Sequence, residues 1–271
     1  MTEEKKGCII MLHGYKQSES IFYKKTSGLR KYLEKQCNYE ILYPCGELKV
    51  EAHQAGDHTG VEDQPDTVSM YSWFFRDNVS GVSKASNERT ILPFLDYIQE
   101  NITSKDKKIV GIIGFSQGAG FASLIVEYYS HLKVFENLNF AIMFSGFFLD
   151  KDSIMKDSGK ENVEIKTRED SISTLHVMGT LDTVVEEWKT LKLFEYCEKK
   201  YGSENTLLLK HLGGHYVPNN KAFLAKVAAW IQETETDVKE VEEKIIKKDN
   251  KNKEIPDLDE DLLKSIENLG F

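Results

Sequence analysis

A serine hydroxyl becomes a nucleophile when a base takes its proton and an acid orients that base. The stretch Gly114-Phe115-Ser116-Gln117-Gly118 offers such a serine. An apolar, β-branched run from Lys108 leads into it, and a helix-period pattern follows at once. Strand before and helix after make this the nucleophile-elbow pattern, a strained turn that presents one serine at the end of a strand. Gly114 and Gly118 stand two residues either side of Ser116, where a Cβ would collide with neighbouring backbone. In chains with this elbow the partners follow in the order serine, acid, histidine, each in a loop after a strand. Asp182 follows the strand pattern 174–178, and His215 follows 206–211 through Gly213 and Gly214, which let the chain turn back. Asp170, Glu186 and Glu187 are weaker rivals for the acid, since they precede the strand or lie in the next helical pattern.

A tetrahedral intermediate needs donors aimed at its oxyanion, and two backbone N–H groups commonly supply them. One is expected from Gln117, just after the serine at the start of the elbow helix, where the helix dipole helps. The other is expected from Tyr15, in the loop His13-Gly14-Tyr15 after the first strand. His13 beside Gly14 reads as a brace for that loop, and His176, inside a strand pattern, as a core residue. The aromatic cluster Trp73-Phe74-Phe75 has two readings, core packing or the lining of an apolar acyl site.

These loops need elements to hold them. Apolar runs at 7–12, 39–43, the elbow strand, 139–145, 174–178 and 206–211 read as buried strands. Helical patterns lie between them: from about Ser18 to Leu33, Ser83 to Glu100 with Pro93 inside, which predicts a kink or an irregular first half, the elbow helix, Val184 to Tyr201, and Asn219 to Ile231. Alternation of this kind predicts an α/β fold of about six mostly parallel strands covered by helices on both faces. Sites in such sheets lie at the carboxyl ends of the strands. Residues 47–66 and 149–170 read as long loops without periodicity. The spacing of His53, Asp57, His58 and Asp63 fits no zinc or calcium template, so no metal is expected.

The chain has 271 residues and a formal net charge of −9, which weighs against a nucleic-acid partner. The apolar segment ending at Leu12 is too short for a signal sequence, and no run approaches membrane-spanning length. Cys8, Cys37, Cys45 and Cys197 are scattered without a metal-binding spacing and read as reduced thiols, in keeping with a cytoplasmic address. The expected organisation is one α/β domain over residues 1–231 and a charged extension over 232–271, partly helical or disordered. The extension holds seven lysines against thirteen acidic residues, and its weak apolar stripes offer a surface for a protein partner.

Six segments in order carry a family resemblance: Met11-Leu12-His13-Gly14-Tyr15, Trp73-Phe74-Phe75, Gly111 through Ala119, Ser145-Gly146-Phe147, Gly179-Thr180-Leu181-Asp182, and Gly213-Gly214-His215-Tyr216-Val217-Pro218. Together they resemble the FSH-type family of small α/β-hydrolase serine hydrolases, which includes esterases of the ovarian-cancer-associated protein 2 type. The resemblance implies a cofactor-free serine esterase or thioesterase for small acyl substrates, with Ser116, Asp182 and His215 as its triad. The Gly-Phe-Ser-Gln-Gly segment is shared with carboxylesterases and acyl-protein thioesterases, so an acyl-protein thioesterase or lysophospholipase is the nearest alternative. A non-catalytic binding protein on the same fold is the alternative from another class.

Overall fold

The computed structural model describes residues 5–50, 69–76, 83–155 and 163–235. The chain begins with β1 (Cys8–Leu12), α1 (Glu19–Lys25), α2 (Ser27–Gln36) and β2 (Glu40–Leu42). Short strands β3 (Leu48–Val50), β4 (Met70–Ser72), β5 (Phe75–Arg76) and β6 (Ser83–Ser86) lead to α3 (Leu92–Asn101). Then come β7 (Ile109–Phe115), α4 (Gln117–Tyr128), β8 (Phe140–Phe144), β9 (Ile154–Met155), β10 (Ser173–Gly179), α5 (Glu187–Tyr201) and β11 (Thr206–His211). A last helix, α6, starts at residue 221. Contacts divide the chain into two units, Met1–Ile231 and Gln232–Phe271, and all the strands belong to the first.

Six strands form one sheet in the order β11-β10-β8-β7-β1-β2, and every neighbouring pair is parallel. β1 and β8 are buried at every residue, while the outer strands β2 and β11 are half-exposed. That is the pattern of a sheet covered on both faces. Side-chain alternation separates two cores. Ile10, Leu12 and Ile112 pack with Ile98 of α3, Phe121 of α4 and Leu193 of α5. Ile9, Met11 and Ile113 pack on the other face with Phe22 of α1, Leu33 of α2 and Val227 of α6. The fold is that of an α/β-hydrolase. Sheet order reverses direction at β1, whose neighbours are β2 and β7, the position at which open α/β sheets bind ligands.

The six strands lie where the apolar runs place them, and three departures have local causes. The helical pattern from Ser18 is two helices, broken at Thr26, whose hydroxyl bonds back to the Phe22 carbonyl (2.7 Å) and meets the Tyr43 hydroxyl. The helix expected from Ser83 begins at Leu92. Ser83–Ser86 is a strand, Ser86 accepts from the Arg89 N–H (3.0 Å), and a π-turn covers Asn87–Ile91. Pro93 falls in the first turn of α3, where its missing N–H costs nothing. Loop 47–66 opens with β3, which pairs antiparallel with β4, and loop 149–170 contains β9, which pairs with β6. His53, Asp57, His58, Asp63 and the charged extension beyond residue 235 lie outside the described residues.

Candidate active site

Ser116 terminates β7 and caps α4 with φ 55° and ψ −116°, a strained conformation for a residue with a side chain. Glycine makes the turn possible. A Cβ on Gly114 would lie 2.3 Å from the Gly118 carbonyl oxygen, and one on Gly118 would lie 2.2 Å from that of Leu12. The hydroxyl of Ser116 makes no hydrogen bond among the described residues, to His215 or to any other group. All twelve residues of α4 are buried, which fixes the turn against the sheet.

The loop after β10 and the loop after β11 bring Asp182 and His215 together. His215 Nδ1 lies 2.8 Å from Asp182 Oδ2. A carboxylate only accepts, so Nδ1 carries a proton, and the lone pair of the neutral ring is the one on Nε2. Asp182 is bonded on both oxygens. Ser145, at the end of β8, donates its hydroxyl to Oδ2 (2.7 Å), and the Val184 and Val185 N–H groups donate to Oδ1 (2.9 Å each). Burial works to raise this carboxyl's pKa, but the bonds from His215, Ser145, Val185 and Val184 outweigh it and hold it below the usual range. The rival acids are engaged elsewhere: Asp170 with Arg168, Glu186 with Lys189 and Glu187 with Lys210.

The loop after β1 is braced from four sides. His13 Nδ1 lies 2.8 Å from the Gly14 carbonyl, and Nε2 accepts from the Gly46 N–H (2.9 Å), so the ring is the neutral Nδ1–H tautomer. Burial holds its pKa down at about 4. The Trp73 indole N–H donates to the His13 carbonyl (2.8 Å), and Gln17 Oε1 accepts from the Gly14 N–H (3.3 Å). Neither the Tyr15 nor the Gln117 N–H has a hydrogen-bond partner among the described residues. Sequence reasoning gave Gln117 a backbone role alone. Its side chain also accepts from the Trp73 N–H (2.9 Å) and donates to the Phe74 carbonyl (3.0 Å), stitching the aromatic segment to the elbow.

Trp73 and Phe74 are each 2% exposed and belong to the core. Trp73 stacks on Phe121 at 4.9 Å, Phe74 meets Phe147 edge-on at 6.1 Å, and only Phe75 keeps an exposed ring. A cavity of about 360 Å³ opens beside His215, walled by Phe22, Phe115, Val217 and Tyr216, with Gln17, Lys25 and Asn219 completing its lining. The sequence carried no sign of this cavity, because α1, the elbow and the loop after β11 meet there from three distant stretches. Ser145 was likewise missed as a partner of Asp182; a serine closing a buried strand beside a glycine was the available signal. All four cysteines are free thiols, and no group of three metal-ligating side chains occurs among the described residues.

Comparison with known proteins decides the family. A family model described as "Serine hydrolase (FSH1)" matches residues 1–227. The chain belongs to this family. It is 33% identical to "Family of serine hydrolases 3" of Saccharomyces cerevisiae over 284 aligned residues, covering 100% of this chain and 99% of that one. "Esterase OVCA2" of Xenopus tropicalis is 27% identical, over 78% of this chain and 85% of its own. Among solved structures, Arabidopsis thaliana SOBER1 matches with a TM-score of 0.55 at 19% identity, covering 84% of this chain and 98% of its own. Zea mays acyl-protein thioesterase 2 matches with a TM-score of 0.56 at 18% identity, covering 86% of this chain and 95% of its own. These two share the fold. Family membership makes the chain a serine hydrolase.

Proposed function

We propose that this hydrolase cleaves small acyl esters or thioesters through a triad of Ser116, His215 and Asp182. The observation that carries the reading is the 2.8 Å bond from His215 Nδ1 to Asp182 Oδ2, with the His215 ring 4.7 Å from that of Phe115, the residue before a serine held at φ 55°. Ser116 Oγ attacks the carbonyl carbon while its proton passes to Nε2 of His215. The tetrahedral oxyanion takes hydrogen bonds from the N–H groups of Tyr15 and Gln117, each such donor contributing roughly 3–4 kcal/mol of transition-state stabilisation. On collapse, Nε2 returns the proton to the departing alkoxide or thiolate, leaving an acyl-serine. Water, deprotonated by the same nitrogen, releases the acid and restores Ser116. Asp182 holds the Nδ1–H tautomer and balances the imidazolium formed in each half-reaction. Ser145 is a positioning residue that holds Asp182.

Every bond and proton in this route is handled by groups of the chain, so it calls for no metal or cofactor. We assign the activity to residues 1–231, with 232–271 as a charged extension open to a protein partner, and a cytoplasmic address. Among the described residues no helix is long and apolar enough to cross a membrane. Of the aromatic segment only Phe75 is exposed, with the Arg89 guanidinium 4.9 Å over its ring, and it is the one member we assign to acyl contact. A fluorophosphonate probe tests the nucleophile: the folded protein should be labelled once and Ser116→Ala not at all. Equal labelling of the two would end the assignment.

A further inference from the structure

The cavity beside His215 has a chemical character that narrows the substrate. General acid catalysis puts the leaving atom against the imidazole that protonates it, and this cavity is lined by His215 but not by Ser116, which suits the departing alcohol or thiol better than the acyl carbon. Phe22, Phe115 and Val217 give that space apolar walls. Apart from His215 itself, Lys25 is the one ionisable cation in its lining, and no acidic residue lines it. Lys25 is exposed, ends α1, and has no hydrogen-bond or ion-pair partner among the described residues. The chain as a whole carries a formal charge of −9, so an unpaired ammonium here stands against the general field.

Resting on the hydrolase reading above, we propose that the cavity is a leaving-group site selective for alcohols or thiols bearing an anionic group, carboxylate or phosphate, which Lys25 pairs. The apolar walls take the spacer between the scissile atom and the anion. Lys25 is solvated, so the selectivity is modest. An exposed pair corresponds to a preference of up to about fivefold, and it shrinks with added salt.

The test uses the full chain and butyryl thioesters in pairs that differ in charge: 3-mercaptopropionate against 3-mercaptopropionamide, and phosphopantetheine against pantetheine. The readout is butyrate release. At low ionic strength the wild type should favour the anionic member of each pair by about fivefold in kcat/KM, mainly through KM. Lys25→Ala should bring the ratio to about one, and Lys25→Glu should invert it. Lys24→Ala, exposed and outside the lining, should keep the wild-type ratio. A preference confined to the phosphopantetheine pair identifies phosphate as the source of charge; a preference in both pairs identifies charge alone. A ratio that Lys25→Glu leaves unchanged overturns the proposal. Release that depends on Ser116 but ignores leaving-group charge refutes this site and spares the hydrolase reading. Release that Ser116→Ala does not abolish refutes both.

Discussion

Two neutral histidines should make the protein acid-labile well above the range where carboxylates titrate. His13 and His176 are both fully buried, and burial lowers their pKa values from 6.5 to about 4 and about 3. In the unfolded chain both rings take up a proton near 6.5. The folded pKa values are depressed, so the stability from keeping these rings neutral is complete above the unfolded value. It is lost as pH falls from 6.5 toward the folded values. At about pH 5 the unfolded chain holds nearly two more protons than the native one at these positions, a slope of about 2.7 kcal/mol per pH unit. Integrated from about pH 7.5 to about pH 5, the loss is about 4 kcal/mol, a large part of an ordinary domain's stability. Asp182, whose pKa is lowered below 3.8, acts in the same direction but further into acid. Urea unfolding at several pH values measures the slope. His176→Leu supplies the control: it removes one titrating ring and a buried Nδ1 without a partner among the described residues, so the slope should fall by about 1.3 kcal/mol per pH unit. Stability that stays flat over this range, or a slope unchanged in His176→Leu, would refute the reasoning.

Two further outcomes test the site itself. Ser145→Ala removes one of the four donors to Asp182; a hydrogen bond to a charged group contributes roughly 1.5–3 kcal/mol. Turnover should fall about tenfold or more in kcat with little change in KM, and Ser145→Gly, which suits the positive φ but also lacks the hydroxyl, should lose as much. Gly118→Ala places a Cβ 2.2 Å from the Leu12 carbonyl and 2.4 Å from that of His13, and should cost about 2–4 kcal/mol in urea unfolding along with probe labelling. Gly28→Ala, whose Cβ would meet nothing nearer than 3.5 Å, should leave stability unchanged or raise it by about 0.5 kcal/mol.

What the sequence made legible follows from the range of the interaction concerned. Continuous apolar runs such as Cys8–Leu12 and Phe140–Phe144 are too short for a helix and bounded by turn residues, so they read as strands of a sheet buried on both faces. The elbow is local too, since its glycines and serine lie within five residues. The small sheets escaped because they depend on distant pairing: β9 has two residues and finds β6 from far along the chain. Ser86 and Pro93 reset the expected helix start through one cap bond and one missing N–H, effects that apolar periodicity does not register. Gln117 had no distinguishing mark in the sequence, because its two side-chain bonds run to a segment more than forty residues away.

Ser145 shows why the missing piece had to come from the tertiary fold. Ser116 leaves the end of β7, while Asp182 and His215 leave the ends of β10 and β11, and β8 lies between β7 and β10. Neighbouring strands are about 4.8 Å apart, so the strand that Asp182 follows stands roughly 10 Å from the one that Ser116 follows. A carboxylate reaching inward across that gap passes over the end of β8, where its charge would lie over buried backbone without a partner. Ser145 occupies that end. Its φ of 48° turns the chain there, its N–H bonds to the Val177 carbonyl (2.7 Å) of β10, and its hydroxyl meets Asp182 Oδ2. The intervening strand thus supplies a donor to the acid that must cross it. The ordering of strands in the sheet, more than any motif, determines that a hydroxyl is useful at this position.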